Sequence, residues 1–222
     1  MNAEGRREAL GTLLDRYLPA LRAHLVAAKG LTADAADDLV QGFVADNVIE
    51  QNLVRCAEAG KGRFRSFLLG ALDHYAVSQF RREKSRKRSP AGAILDIADH
   101  PGVCSSGHEA SWQFTLAWAR EVVGEATRRT EAHCRAVDRP DLWRVFTERV
   151  ARPAAENIDP SPHARLAGDL GVGGPKVAAN LLVTSKRLYA RMLRDVVAEY
   201  AADEREVDAE IDELLRVLSG HG

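Results

Sequence analysis

Residues 62–88 read GRFRSFLLGALDHYAVSQFRREKSRKR. Phe64, Phe67, Leu68, Ala71, Leu72 and Tyr75 recur at helical spacing, so one stripe of this segment can pack against neighbouring helices. The segment then leaves its core. Arg81, Arg82, Lys84, Arg86, Lys87 and Arg88 crowd into eight residues, opposed there by Glu83 alone. From position 61 to 88 there are nine basic and two acidic residues, in a chain whose formal net charge is -1. Like charges packed this densely repel one another unless a polyanion accepts them, which points to nucleic acid.

The rest of the chain points the same way about fold class. Its 222 residues are 45% hydrophobic and only 6% aromatic. Alternating runs of Val, Ile and Thr are nearly absent, so the expected fold is all-α, in two small helical domains. No basic start followed by an apolar run marks a signal peptide, and no segment approaches membrane-spanning length. Three cysteines, Cys56, Cys104 and Cys134, are odd in number and unpatterned, which fits a reducing cytoplasm.

Outward from the basic segment, periodicity predicts a helix over about 8–29, which Pro19 kinks or divides and Gly30 ends. Thr32 is placed to cap a second helix over about 33–51. There Leu39, Val40, Phe43, Val44 and Val48 form the inner side. Asp34, Asp37, Asp38 and Gln41 stand at i, i+3, i+4 and i+7 on the other. Three helices of this length make a small bundle over residues 1–88. Residues 89–110, rich in Gly, Pro and Ser and without a sustained period, form a flexible linker.

A second helical block occupies residues 111–200. Within it, residues 163–170 predict a short helix ended by Gly171. The turn at Val172, Gly173 and Gly174 suits positive φ, and Pro175 opens a second helix reaching 199. Two helices joined by a tight Gly turn, the second basic, form a helix-turn-helix pattern over 163–199. Residues 201–222 form an acidic tail: eight acidic residues against Arg205 lie between positions 199 and 213. Its charge is complementary to the basic surfaces and suits a compact form in which it lies over one of them.

Together these segments resemble a family. DAADDLVQGFV (34–44), GRFRSFLLGAL (62–72) and the Phe80-Arg81-Arg82 run resemble the sigma-two domain of bacterial RNA polymerase sigma factors. The likeness is to the extracytoplasmic-function (ECF) type, in a divergent branch with a GRFRSFLL-like motif. LAGDLGVGGPKV (166–177) and the helix after it resemble the sigma-four helix-turn-helix. The tail sequence EVDAEIDELLRVL also fits that branch. The resemblance covers most of the chain in the family's order, with a linker where the family has one.

The resemblance implies a transcription initiation factor that binds core RNA polymerase and promoter DNA. It further implies an anti-sigma or other regulatory protein as a partner, and no cofactor. The polymerase-binding residues would be Asp34, Asp37, Asp38 and Gln41; an acidic, amide-bearing face suits a basic coiled-coil partner. In the sigma-two region DNA would meet Arg63, Arg65, His74, Tyr75, Gln79 and Phe80, then Arg81, Arg82, Lys84, Arg86, Lys87 and Arg88. Aromatic residues would stack melted bases and the cations would hold phosphates. In the sigma-four helix, Lys176, Ala179, Asn180, Thr184, Lys186 and Arg187 would face the major groove, where Asn can read adenine.

Three departures from the family's pattern carry their own expectations. Asp73 puts negative charge on the face that would approach DNA. The run Leu181-Leu182-Val183 stands where the family has His and Arg, leaving apolar surface for a protein contact. Gly42 replaces an acidic residue after Gln41 and removes one polymerase contact. A DNA-binding regulator that never meets polymerase, or an interaction adaptor that has lost promoter opening, are the alternatives. No phosphate loop, nucleophile-base pair or catalytic carboxylate pair stands out, so an enzyme is not expected. Neither Cys104 with His108 nor His133 with Cys134 has the spacing of a structural zinc site.

Overall fold

A computed structural model of the chain describes residues 3–49, 64–88, 112–201 and 203–219. The described residues are α-helical and contain no strand. Helix α1 spans Ala3–Lys29, α2 Ala33–Phe43, α3 Phe64–Arg88 and α4 Trp112–Ala136. Then come α5 at Pro140–Phe146, α6 at Arg152–Glu156, α7 at His163–Leu170, α8 at Pro175–Ala198 and α9 at Glu204–Leu218. Single π-helical turns continue α2 (Val44–Ile49) and α5 (Thr147–Ala151).

The chain folds into two compact units. One comprises Met1–Glu121 with Glu199–Gly222, and the other Val122–Ala198. The boundary between them falls inside α4. The tail therefore belongs to the N-terminal unit, whereas the sequence reading sets 201–222 apart. The reading starts the second block at 111; here the second unit starts at 122. The expected linker 89–110 lies outside the described residues, as do Cys56, Cys104 and His108.

In the N-terminal unit, α1 runs through Pro19 as one helix, so the proline does not divide it. Gly30 closes α1 in the left-handed region at φ +66°, which a side chain would strain. Thr32 then starts α2, its Oγ1 accepting the Ala35 N–H at 3.3 Å. Leu14, Tyr17, Leu21 and Leu25 of α1, Val40 and Phe43 of α2, and Leu68, Leu69, Leu72 and Ala76 of α3 are buried. So are Phe114 and Trp118 at the start of α4, and Val207, Leu214 and Val217 of α9.

Helix α9 is the element that the sequence reading leaves as an undifferentiated acidic tail. Its local signals are strong. Asp203 is its N-cap, with Oδ1 accepting the Glu206 N–H at 2.9 Å. Glu204 and Glu206 occupy the first turn and Arg216 the last, which matches the helix dipole at both ends.

In the second unit the aromatic residues do the packing. Trp143 stacks on Phe146 with ring centroids 6.0 Å apart, and Phe146 meets Tyr189 of α8 at 4.8 Å. Cys134, Leu142 and Leu188 form one cluster, joined by Trp143, Leu181 and Met192. Leu166, Ala167 and Ala178 form a second, with Val172 of the turn against it. The first cluster packs α8 against α4 and α5, and the second holds α7 and α8 at their turn. Arg144 of α5 donates to the Asp169 carbonyl at 3.2 Å, and Arg149 to the carbonyls of Pro160 and Ser161.

Candidate functional site

The α2 face is built by a helix whose inner positions, Ala36, Val40 and Phe43, are buried. That phase leaves Asp34, Asp38 and Gln41 exposed on the outer side. Asp37 is half-buried and pairs with Arg22 of α1 at 2.7 Å, so it is partly neutralised within the unit. Gly42 has a local reason. A Cβ there would stand 2.7 Å from the Tyr75 hydroxyl. That ring lies edge-on to Phe43 at 5.7 Å, and its hydroxyl donates to Asp46 at 2.9 Å. Burial, then the Asp46 carboxylate, push the Tyr75 phenol above its ordinary pKa.

Along α3 the same periodicity sorts the candidate DNA contacts. His74, Arg81 and Arg82 are exposed, Phe80 keeps 39% of its surface in solvent, and Gln79 and Tyr75 are half-buried. Past Ala76 the helix is exposed around most of its circumference, so these residues are spread around it rather than gathered into one stripe. Lys84, Arg86, Lys87 and Arg88 follow on the same helix, but their side chains lie outside the described residues, as does Arg63.

Arg65 and Asp73 do not belong to that surface. Arg65 is 4% exposed, because it precedes Leu72 by seven residues and Ala76 by eleven and so shares their inner face. Its Nε stands 3.4 Å from Glu210 Oε2, its Nη2 4.0 Å from Glu213, and its guanidinium lies 4.4 Å from the Trp118 ring centroid. Asp73 is likewise turned inward, 6% exposed, with its Oδ1 2.8 Å from Lys29 Nζ and 3.2 Å from His24 Nε2. Burial alone would raise the Asp73 pKa. The Lys29 and His24 contacts outweigh it and hold the carboxyl below the usual range. The negative charge expected on the outer face is therefore compensated inside the bundle.

In the second unit, Gly171 at φ +64° and Gly174 at φ +111° make the turn between α7 and α8. Pro175 then opens α8, where a missing N–H is harmless. With Ala178, Ser185 and Leu188 buried, the opposite side presents Lys176, Asn180, Thr184 and Arg187, with Lys186 exposed beside them. Ala179 is half-buried at the edge of that stripe, and the Thr184 hydroxyl donates to the Asn180 carbonyl at 3.0 Å. The apolar run at 181–183 is mostly internal: Leu181 packs in the Cys134 cluster and Leu182 is half-buried. Val183 alone of the three is exposed, at 48%. The extra apolar surface expected there shrinks to one side chain.

A buried polar cluster in the N-terminal unit escapes sequence reasoning altogether. Arg65, Trp118, Tyr17, Tyr200 and Glu210 meet there; Tyr17 lies edge-on to Tyr200 at 5.8 Å and to Phe64 at 5.6 Å. Burial first, then neighbouring charge that includes Glu210, pushes both phenols above the usual tyrosine range. One signal was available. Glu210 stands three residues after Val207 and four before Leu214, a carboxylate inside an apolar stripe.

Among the described residues no group of His, Cys, Asp and Glu could hold a metal ion, and Cys134 is buried in an apolar cluster. No described helix is long and apolar enough to cross a membrane. No protein-family model, curated protein or solved structure matches the chain.

Proposed function

We propose that this chain is a transcription initiation factor of the sigma type, acting in the cytoplasm, which binds core RNA polymerase and directs it to promoters. The observation that carries the reading is the outer stripe of α8. Lys176, Asn180, Thr184 and Arg187 lie on one exposed side of a helix that leaves a tight glycine turn. Cations for phosphates and an amide for a base edge, on a helix thin enough for the major groove, are what direct readout requires. The exposed His74, Phe80, Arg81 and Arg82 of α3 support a second, proximal DNA contact. The exposed Asp34, Asp38 and Gln41 of α2 support a basic partner surface on polymerase.

Two features that favoured an adaptor without promoter activity are weaker in the folded chain. Asp73 is inside the bundle, and only Val183 of the 181–183 run is exposed. The test is capture of core RNA polymerase from the native host, followed by run-off transcription on fragmented genomic DNA with this chain as sole sigma. Polymerase capture with discrete transcripts is the expected result. Capture without transcripts would favour the adaptor. DNA binding without capture would leave a regulator that works apart from polymerase.

A further inference from the structure

Helix α9 reaches the N-terminal unit from the far end of the sequence, 77 residues of the other unit intervening. It buries Val207, Glu210, Leu214 and Val217 on one side, at spacings of three, four and three residues. Glu210 is 1% exposed, a charge placed where a leucine would close an ordinary core. Its partner Arg65 is imperfectly served: Nη1 is buried with no hydrogen-bond partner among the described residues. A buried ion pair adds little net stability over apolar residues, but it penalises any helix that arrives without the matching charge. The arrangement therefore selects for the occupant more than it stabilises it. Glu213 near Arg65 and Glu199 paired with Arg16 add to the preference for acidic chains.

We propose that the face of the N-terminal unit around Arg65, Trp118 and Tyr17 is a docking site for acidic amphipathic helices, with α9 as its built-in occupant. A partner that displaces α9 would carry the same pattern: apolar residues at i, i+7 and i+10 and a carboxylate at i+3. Helix α9 suits the role of a detachable ligand. It carries its own N-cap at Asp203 and its end charges match its dipole, so it keeps its local interactions on leaving. The site uses buried residues of the N-terminal unit and none of the exposed residues proposed for polymerase or DNA, so it stands whether or not the chain serves transcription.

Two measurements on the full chain decide it. In hydrogen exchange of the unmodified protein, amides of 204–218 should exchange at least about tenfold faster than the core amides of α1 and α3, through local opening. Equal protection would make α9 a permanent part of the fold and overturn the proposal. The second uses a fluorescein-labelled peptide of residues 199–219 as probe. It should bind the Glu210→Lys chain, whose own helix is repelled by Arg65, at least about tenfold more tightly than the unmodified chain. The same peptide carrying Glu210→Lys should bind neither. If the Glu210→Lys chain keeps the protection of α1 and α3 yet ignores the peptide, the proposal fails. If that chain loses protection throughout the unit, recovery on adding peptide supports the docking site, and no recovery overturns it.

Discussion

At the scale of single residues, two positions test how the N-terminal unit balances charge and space. Gly42→Ala should gain helix propensity in isolation, yet its Cβ would meet the Tyr75 hydroxyl at 2.7 Å. The ring is held against Phe43, so the bond to Asp46 should break and the unit lose about 1 kcal/mol, read by urea unfolding. Adding Tyr75→Phe should recover much of that loss, because the clashing oxygen is gone. Asp73 sets an acid limit. Its folded pKa lies below its unfolded value, so its stabilisation is complete above about pH 4 and fades as pH falls through the folded pKa. Asp73→Asn should cost about 1–3 kcal/mol at neutral pH and flatten the loss of stability in acid, followed by melting temperature against pH.

At the scale of elements, the α7–turn–α8 hairpin carries the sharpest expectations. Gly174 holds φ +111°, so Gly174→Ala should destabilise the second unit by about 1–2 kcal/mol through backbone strain alone. Gly173, with negative φ and an ordinary 3.6 Å neighbour in Val177, should accept Ala nearly without effect; thermal melts of the pair check both. On the proposed DNA-binding face, Lys176→Ala should weaken binding evenly across sequences and lower the salt slope by about one. Asn180→Ala should instead relax the preference at one base pair, worth about 1–3 kcal/mol of discrimination in anisotropy titrations. This hairpin was legible in the sequence because glycine, proline and helical period are local signals. Helix α9 was equally well signalled by its cap and its stripe, but its many acids drew attention to net charge and away from period.

At the scale of the whole molecule, the acidic α2 face is proposed to act in an assembly. The double substitution of Asp38 and Gln41 by Ala should leave folding and intrinsic DNA binding unchanged while reducing capture of core polymerase at least tenfold, measured by pull-down. Unaffected capture would remove that face from the interface. Both residues are exposed on α2 and neither side chain pairs within the described structure, so the variant removes surface chemistry and little else.

The sequence by itself determined the helical class, the caps at Gly30 and Thr32, the turn after Gly171, and the outward phase of Asp34, Asp38, Gln41, Arg81 and Asn180. Each depends on neighbours within a few residues, where hydrogen-bond geometry and the 3.6-residue period leave little choice. Only the tertiary structure decided what the inward charges do. Arg65 and Asp73 sit in a helix whose basic end suggests a DNA surface, yet each lies on its buried side and must find a counter-charge there. That counter-charge comes from Lys29 in one case, with His24 in hydrogen-bond contact beside it, and in the other from Glu210, 145 positions along the chain. A desolvated charge demands a partner, but no local rule says from which element it will come.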